Sequence, residues 1–248
     1  MEQWPVEYVT GKRNLLNLRR PVQTSKGYFM NKLSDIGSEL DPVSTQKRLH
    51  WPAPERNKEP ILQVLLSNLP QTLGHNGTVL EIGAGTGQHS TYFARKFATS
   101  VWQATDPEPL HLKSIQAWID WSNLLNMPKP LYLDTQKKPW PIRVADAIVC
   151  VNMIHVSPWA SCTSLFEGAA EILSPNGIIY LYGPFSVGGN YTSQSNAAFH
   201  ESLKSQNPAW GVRDLDDVKA VAVKYGFGKC ETVEMPANNL SVFFGRTN

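Results

Sequence analysis

The residues best placed to do chemistry fall in one run, Val79-Leu80-Glu81-Ile82-Gly83-Ala84-Gly85-Thr86-Gly87-Gln88-His89. Apolar residues lead into three alternating glycines, and a stretch able to form a helix follows. That is the pattern of a strand, a tight turn and a helix N-terminus. Glycine at 83, 85 and 87 lets the backbone take positive φ and lets a ligand come close. The free N–H groups at the start of the next helix then face that ligand. The spacing is G-x-G-x-G, whereas a turn that holds a dinucleotide diphosphate reads G-x-G-x-x-G. Gln88 stands where the last of those glycines would fall. Glu81 ends the strand just ahead of the turn, and a carboxylate there repels a diphosphate but suits a ligand carrying a cation. A glycine-rich turn that binds nothing is the plain alternative.

A second acid, Asp106, lies about 20 residues past the turn, the distance at which an acidic side chain meets ribose hydroxyls in nucleotide-binding βαβ units. A carboxylate can accept from two adjacent hydroxyls at once. Asp106 also suits the cap of a helix starting at Pro107, and the two roles are compatible. Asp134 ends a third strand, where it could address an adenine amino group or simply form a turn. Residues 145–152 are nearly all apolar, as a central parallel strand should be. Ligands of open parallel sheets lie beyond the carboxyl ends of the strands. Asn152, His155 and Trp159 follow this strand and so fall near the ligand.

The elements that must position these residues read as alternating strands and helices. Trp51-Pro52-Ala53-Pro54 is a stiff approach, because each proline fixes its φ. Ile61, Leu62, Val64, Leu65, Leu66 and Leu69 then repeat at helical spacing. Pro60 suits a first turn, so this helix is expected to start near Asn57 as its cap. That places Arg56 and Asn57 at a helix start beside the glycine turn, either contacting the ligand or merely capping. Strands are expected at 78–83, 100–106, 130–134, 145–152 and 177–185. Helices are expected at 87–98, 109–125, 165–173 and 195–205, with one more through Val218 and Tyr225. Ser174-Pro175-Asn176-Gly177 reads as a turn, and residues 186–192 as a mobile loop. Residues 231–235 and 240–245 pair through Pro236-Ala237-Asn238-Asn239, which puts an antiparallel last strand on the sheet edge. Residues 1–50 are polar, with Tyr28, Phe29 and Met30 as an apolar cluster. They form either an arm wrapping the rest or a lid over the site.

Glycine turn, acid after the second strand, Asp after the third and a closing hairpin together resemble the class I S-adenosylmethionine-dependent methyltransferases. A narrower resemblance rests on Pro54-Glu55-Arg56-Asn57-Lys58-Glu59-Pro60-Ile61, Gly85-Thr86-Gly87-Gln88-His89, Asn152-Met153-Ile154-His155, Leu181-Tyr182-Gly183-Pro184-Phe185, Trp210-Gly211-Val212-Arg213-Asp214 and Glu234-Met235-Pro236-Ala237-Asn238-Asn239-Leu240. These segments are similar to the small family catalogued as domain of unknown function 938, which includes methyltransferase-like protein 26. The match runs from about residue 52 to the end. The chain departs from the family in having Gly83-Ala84-Gly85 where members usually read Ala-Ser-Gly, and in its long N-terminal segment.

The resemblance implies an α/β Rossmann-like fold, with a mostly parallel twisted sheet, an antiparallel last strand and helices on both faces. It implies residues 51–248 as a methyltransferase domain behind the 1–50 arm. It implies S-adenosyl-L-methionine as cofactor and S-adenosyl-L-homocysteine as product. Cofactor contacts are then expected from Arg56, Asn57, Glu81, Gly83, Ala84, Gly85, Gly87, Gln88, Asp106, Asp134 and Asn152, with Arg56 paired to the methionine carboxylate. Methyl transfer is an in-line displacement that rests mainly on alignment. A base is needed only if the acceptor must lose a proton. His155 is the candidate, since an imidazole titrates near pH 6.5; shaping the pocket is its other reading. Tyr28, Trp159, Tyr182, Asn196 and Asn239 are expected to line the acceptor site, with Trp159 also readable as core. A protein that binds the cofactor without catalysis, or a nicotinamide-dependent oxidoreductase, are the rival readings; Glu81 and Gln88 speak against the latter.

Composition agrees with a soluble globular chain. At 248 residues and 42% hydrophobic, it can bury a large core. A net charge of +2 is too mild to point to long nucleic acid or a membrane surface. A small organic molecule or a peptide end is the expected acceptor. The three cysteines, Cys150, Cys162 and Cys230, are odd in number and lack metal-type spacing. That argues for a reducing compartment without a metal site or disulfide framework. No apolar run approaches the roughly 20 residues of a membrane span. The mixed first ten residues do not read as a signal segment, so a cytoplasmic location is expected.

Overall fold

The computed structural model describes residues 48–247. Tyr28 and all but the last three residues of the expected arm lie outside them. In chain order the elements are α1 (Pro52–Leu73), β1 (Thr78–Ile82), α2 (Gln88–Ala94), β2 (Val101–Asp106) and α3 (Pro109–Ser122). Next come β3 (Leu131–Tyr132), β4 (Ala145–Val151), α4 (Trp159–Ile172), β5 (Leu173–Gly183), β6 (Phe185–Val187) and β7 (Asn190–Tyr191). The chain closes with α5 (Gln194–Gln206), β8 (Arg213–Asp214), α6 (Leu215–Lys224), β9 (Lys229–Met235) and β10 (Asn239–Gly245).

Seven strands make one sheet in the order β3-β2-β1-β4-β5-β10-β9. The first five are mutually parallel, with Glu81 opposite Ala104 and Val149 and the ends of β4 and β5 in register. β10 runs antiparallel to both β5 and β9. The last strand is therefore antiparallel but not at the edge, where the sequence had suggested it would lie. The reason is burial. Val242, Phe243 and Phe244 are buried on both faces, as an interior strand requires, while Lys229, Glu231 and Glu234 leave β9 exposed.

Both faces are covered. α1, α2 and α3 pack Ile61, Leu65, Phe93 and Ile115 against Val79, Ala147 and Tyr180. α4 and α6 pack Leu165, Phe166 and Val218 against Leu80, Ile148 and Leu181. This is the expected α/β architecture with a mostly parallel sheet and helices on both faces.

Three local expectations differ from the structure. α1 begins at Pro52 with Trp51 as cap and runs through Pro60 and Pro70. Pro52 and Pro54 already supply the first turn, and the buried Ile61, Leu62, Leu65 and Leu69 hold the helix together past the donor that Pro60 lacks. Asn57 is thus inside the helix, not its cap. Ser174–Gly177 is a bulge in β5, lying between the pairs Ala145–Leu173 and Ala147–Ile178, not a break before it. Residues 186–192 are no open loop: β6 and β7 form a hairpin turned at Gly188 and Gly189, and β6 also pairs with β8 in parallel.

Candidate functional site

The glycine turn projects from the C-terminal end of β1. Gly83, Gly85 and Gly87 all have positive φ, at 69°, 58° and 90°. Each is also needed by packing. A Cβ on Gly83 would meet Met153, one on Gly87 would strike the α3 backbone at Ile115, and one on Gly85 would press on the Trp51 ring. The turn is tied to its neighbour strand, with the Ala84 N–H donating to Thr105 O at 2.9 Å. Gly83 and Gly85 stay partly open, while Ala84 and Gly87 are buried.

Asp106 ends β2 against this turn and is only 4% exposed. One carboxylate oxygen accepts from the Gly85 N–H at 2.8 Å. The other accepts from the Glu108 N–H at 2.9 Å and lies 3.0 Å from His111 Nδ1. That bond to Asp106 pulls the His111 pKa up. The β2 acid fastens the turn and bonds the Glu108 N–H, but it does not cap α3, which starts at Pro109 after Glu108 and not at Pro107 as the sequence suggested.

Glu81 behaves differently. Its side chain enters the core on the α1–α3 face, where the Trp102 indole N–H donates to it at 2.7 Å. Burial pushes its pKa up to about 7, against the hydrogen bond from Trp102. The expected contact between its carboxylate and a ligand cation is corrected by this placement. Glu81 stands two residues before Gly83, and its carboxylate lies in the core bonded to Trp102.

Gln88 is a clamp. Its Oε1 accepts from the Trp51 N–H at 2.6 Å and the Thr86 hydroxyl at 2.9 Å. Its Nε2 donates to Trp51 O at 3.2 Å and to Glu55 at 3.1 Å. Asn57 reaches His89, 2.8 Å from Oδ1 to Nε2, and stands beside the Tyr182 hydroxyl. Burial lowers the His89 pKa to about 4 and raises that of Tyr182, so both are neutral near pH 7. Asn57 thus joins α1, α2 and β5 over the end of the sheet. Arg56 is exposed and makes no ion pair among the described residues.

Asn152 follows β4 in the left-handed region, with φ 60°. Its N–H donates to Tyr182 O at 2.8 Å, which joins the ends of β4 and β5. Asp134 stands two residues past β3, accepts from the Gln136 N–H at 3.1 Å and pairs with Lys137 at 3.5 Å. It is a turn former here and retains its second oxygen toward Lys137.

His155 does not stand free in the site. It is wholly buried, with its ring edge against Phe185 and its Nδ1 accepting the Arg213 N–H at 3.3 Å. A Cβ at Gly183 would collide with its Nε2. Burial, with the Arg213 guanidinium adding, holds its pKa down to about 3. The base role is corrected: the one lone pair is already in use, and the ring is walled off from any acceptor.

Asn196 is buried and donates to Thr192 Oγ1 at 2.9 Å and Asn238 O at 2.8 Å. It stitches α5 to the β9–β10 turn. Asn239 donates to Pro236 O and Ala237 O within that turn, which meets the end of β5 through the Leu240–Gly183 pair. Trp159 heads α4, is 37% exposed, and has the Arg213 guanidinium 5.7 Å from its ring.

Residues 48–246 match the family described as a protein of unknown function, DUF938. The chain belongs to the DUF938 family. Among solved structures, its fold is similar to an O-methyltransferase family protein from Burkholderia thailandensis, with TM-score 0.64, 15% identity, and 79% of this chain and 58% of that chain covered. It is similar to the S-adenosylmethionine-dependent methyltransferase SibL, with TM-score 0.64, 15% identity, and coverage of 79% and 56%. Human N-acetylserotonin methyltransferase, solved in complex with S-adenosylmethionine, matches with TM-score 0.60, 13% identity, and coverage of 79% and 58%. The chain therefore spans under two-thirds of the length of these solved chains, and the DUF938 protein shares a class I methyltransferase-like fold with them.

The donor set of the DUF938 chain fits an adenosyl-type ligand. The buried carboxylate that ends β2 stands at the partly open turn after β1, and among the described residues no Lys or Arg bonds that turn as a phosphate site would invite. Among the described residues, no three His, Cys, Asp or Glu side chains converge as metal ligands would, and no helix is long and apolar enough to cross a membrane. Three participants were missed in the sequence. Trp51 lies on Gly85, His111 on Asp106, and Ser114 donates to Thr86 O at 2.7 Å. His111, one helical turn past the β2 acid, was the detectable one; the other two depend on a tertiary approach.

Proposed function

We propose that this DUF938 protein is an S-adenosylmethionine-dependent methyltransferase acting on a small organic molecule or a peptide end. The observation that carries the reading is the Asp106 carboxylate, buried at the C-terminal end of β2 and bonded to the Gly85 N–H of the turn. Bound S-adenosylmethionine would supply an electrophilic methyl carbon. The chain's own part is to hold and align. Asp106 offers lone pairs to ribose hydroxyls, the partly exposed backbone of Gly83 and Gly85 admits the ligand, and Arg56, without an ion pair among the described residues, offers its charge to a carboxylate. Asn152, just past β4, adds a cofactor contact, and Tyr182 and Asn239, near the paired ends of β5 and β10, form the acceptor end. Alignment of this kind contributes on the order of 7–11 kcal/mol.

With His155 enclosed and His89 neutral, the acceptor that fits best reacts through a lone pair already free at working pH. Residues 51–248 act as the catalytic domain, with residues 1–50 as an arm, in a cytoplasmic setting. Incubation with methyl-labelled S-adenosylmethionine and a metabolite and peptide extract tests the reading. Label should pass to an extractable product. Binding without transfer would leave the non-catalytic reading instead, and no binding at millimolar dose would end both.

A further inference from the structure

We infer that Trp51 is a fixed wall of the cofactor site that packs on the adenosyl half of the ligand; this rests on the reading just given. The indole fills the room that the missing Cβ of Gly85 leaves, 3.2 Å from where that atom would stand. Its ring meets His111 edge-on, 5.3 Å between centroids, and His111 bonds Asp106 at 3.0 Å. Indole, imidazole, carboxylate and turn thus form one continuous surface, and the indole remains only partly buried.

The segment carrying the indole is held at every step. Arg48 lies over the Trp118 and Trp121 rings, at 4.7 and 4.2 Å. The Leu49 N–H donates to Ser114 Oγ at 2.9 Å, and the Trp118 indole donates to Leu49 O at 3.0 Å. Gln88 holds both the N–H and the carbonyl of Trp51. A group tied down through its own backbone is a wall, not a plug that leaves when the ligand arrives. A partly exposed indole beside a ribose-type acid matches a purine nucleoside, since aromatic faces and bases stack whatever their hydrogen-bond pattern.

The test is calorimetric binding of S-adenosylhomocysteine and of methylthioadenosine, which lacks the amino-acid half, to the full chain. Trp51→Ala and Trp51→Leu should weaken both ligands at least tenfold and by the same factor, while Trp51→Phe stays within about threefold of wild type. Trp51→Leu keeps bulk in place of the ring, so it answers if Trp51→Ala does not fold. Unchanged or tighter binding by the Leu variant, or weakening of S-adenosylhomocysteine alone, overturns the wall. Wild-type protein that takes neither ligand overturns the cofactor reading itself, a result distinct from failure of the variants.

Discussion

Asp106 and Glu81 are both buried acids within one turn of each other, yet their surroundings separate their tasks. Asp106 accepts from backbone N–H groups and His111 at the rim of the site. Hydrogen bonds to a charged group contribute roughly 1.5–3 kcal/mol. Asp106→Asn should therefore weaken S-adenosylhomocysteine by about ten- to a hundredfold in a calorimetric titration, and an unchanged affinity would remove Asp106 from the ribose. Glu81 sits in the core with a pKa raised from 4.5 to about 7. An unfolded glutamate ionises first as pH rises, so the folded state loses stability between those values and recovers none above them. Wild type should thus fall behind Glu81→Gln on going from about pH 5 to pH 8, by up to roughly 3 kcal/mol. Thermal melts of both proteins across that window check it; a constant gap would show that Glu81 is already ionised in the fold. The position of both acids was readable from spacing. Which of them would stand at the turn and which in the core was not, because that depends on side-chain direction at the end of β1.

At the scale of elements, α1 and the residues before it matter most. Proline at 60 and the Asn57 cap pattern suggested a helix start, but a proline inside a helix survives where the apolar side is fully packed. Starting the helix at Pro52 brings Trp51 over the turn and Asn57 over His89 and Tyr182. Gln88 maintains that arrangement. Gln88→Ala leaves the Trp51 N–H and carbonyl without these partners and should lower stability by about 1–3 kcal/mol. Hydrogen exchange read by mass spectrometry should show residues 48–51 opening faster than in wild type. Unchanged exchange there would mean that Arg48 and Leu49 suffice to hold the segment. The same element-scale reasoning explains His155: a histidine after a buried strand looked accessible until β6 and β8 closed over it.

At the scale of the whole molecule, the function proposed above ties the stability of the parallel strands, the turn and both helix layers to one ligand. A ligand that binds only the folded state at a hundred times its dissociation constant stabilises by about 2.7 kcal/mol. For a domain of this size that is a rise in melting temperature of roughly 5–10 °C. S-adenosylhomocysteine at such a dose should produce it and NADH should not. A rise with NADH alone would return the chain to the nicotinamide reading.

Periodicity and turn chemistry were enough to establish the alternation of strands and helices, the glycine turn, the acid at the end of β2 and the antiparallel final strand. Those features are local, and each follows from a few neighbouring residues. Packing decided the rest. Burial on both faces drew β10 inside the sheet, the α1–α3 core took Glu81, the loops beyond β5 enclosed His155, and the approach of Trp51 to Gly85 joined residues distant in the chain. None of these leaves a mark in a stretch of sequence, because each depends on which side chains exclude water together once the layers have closed.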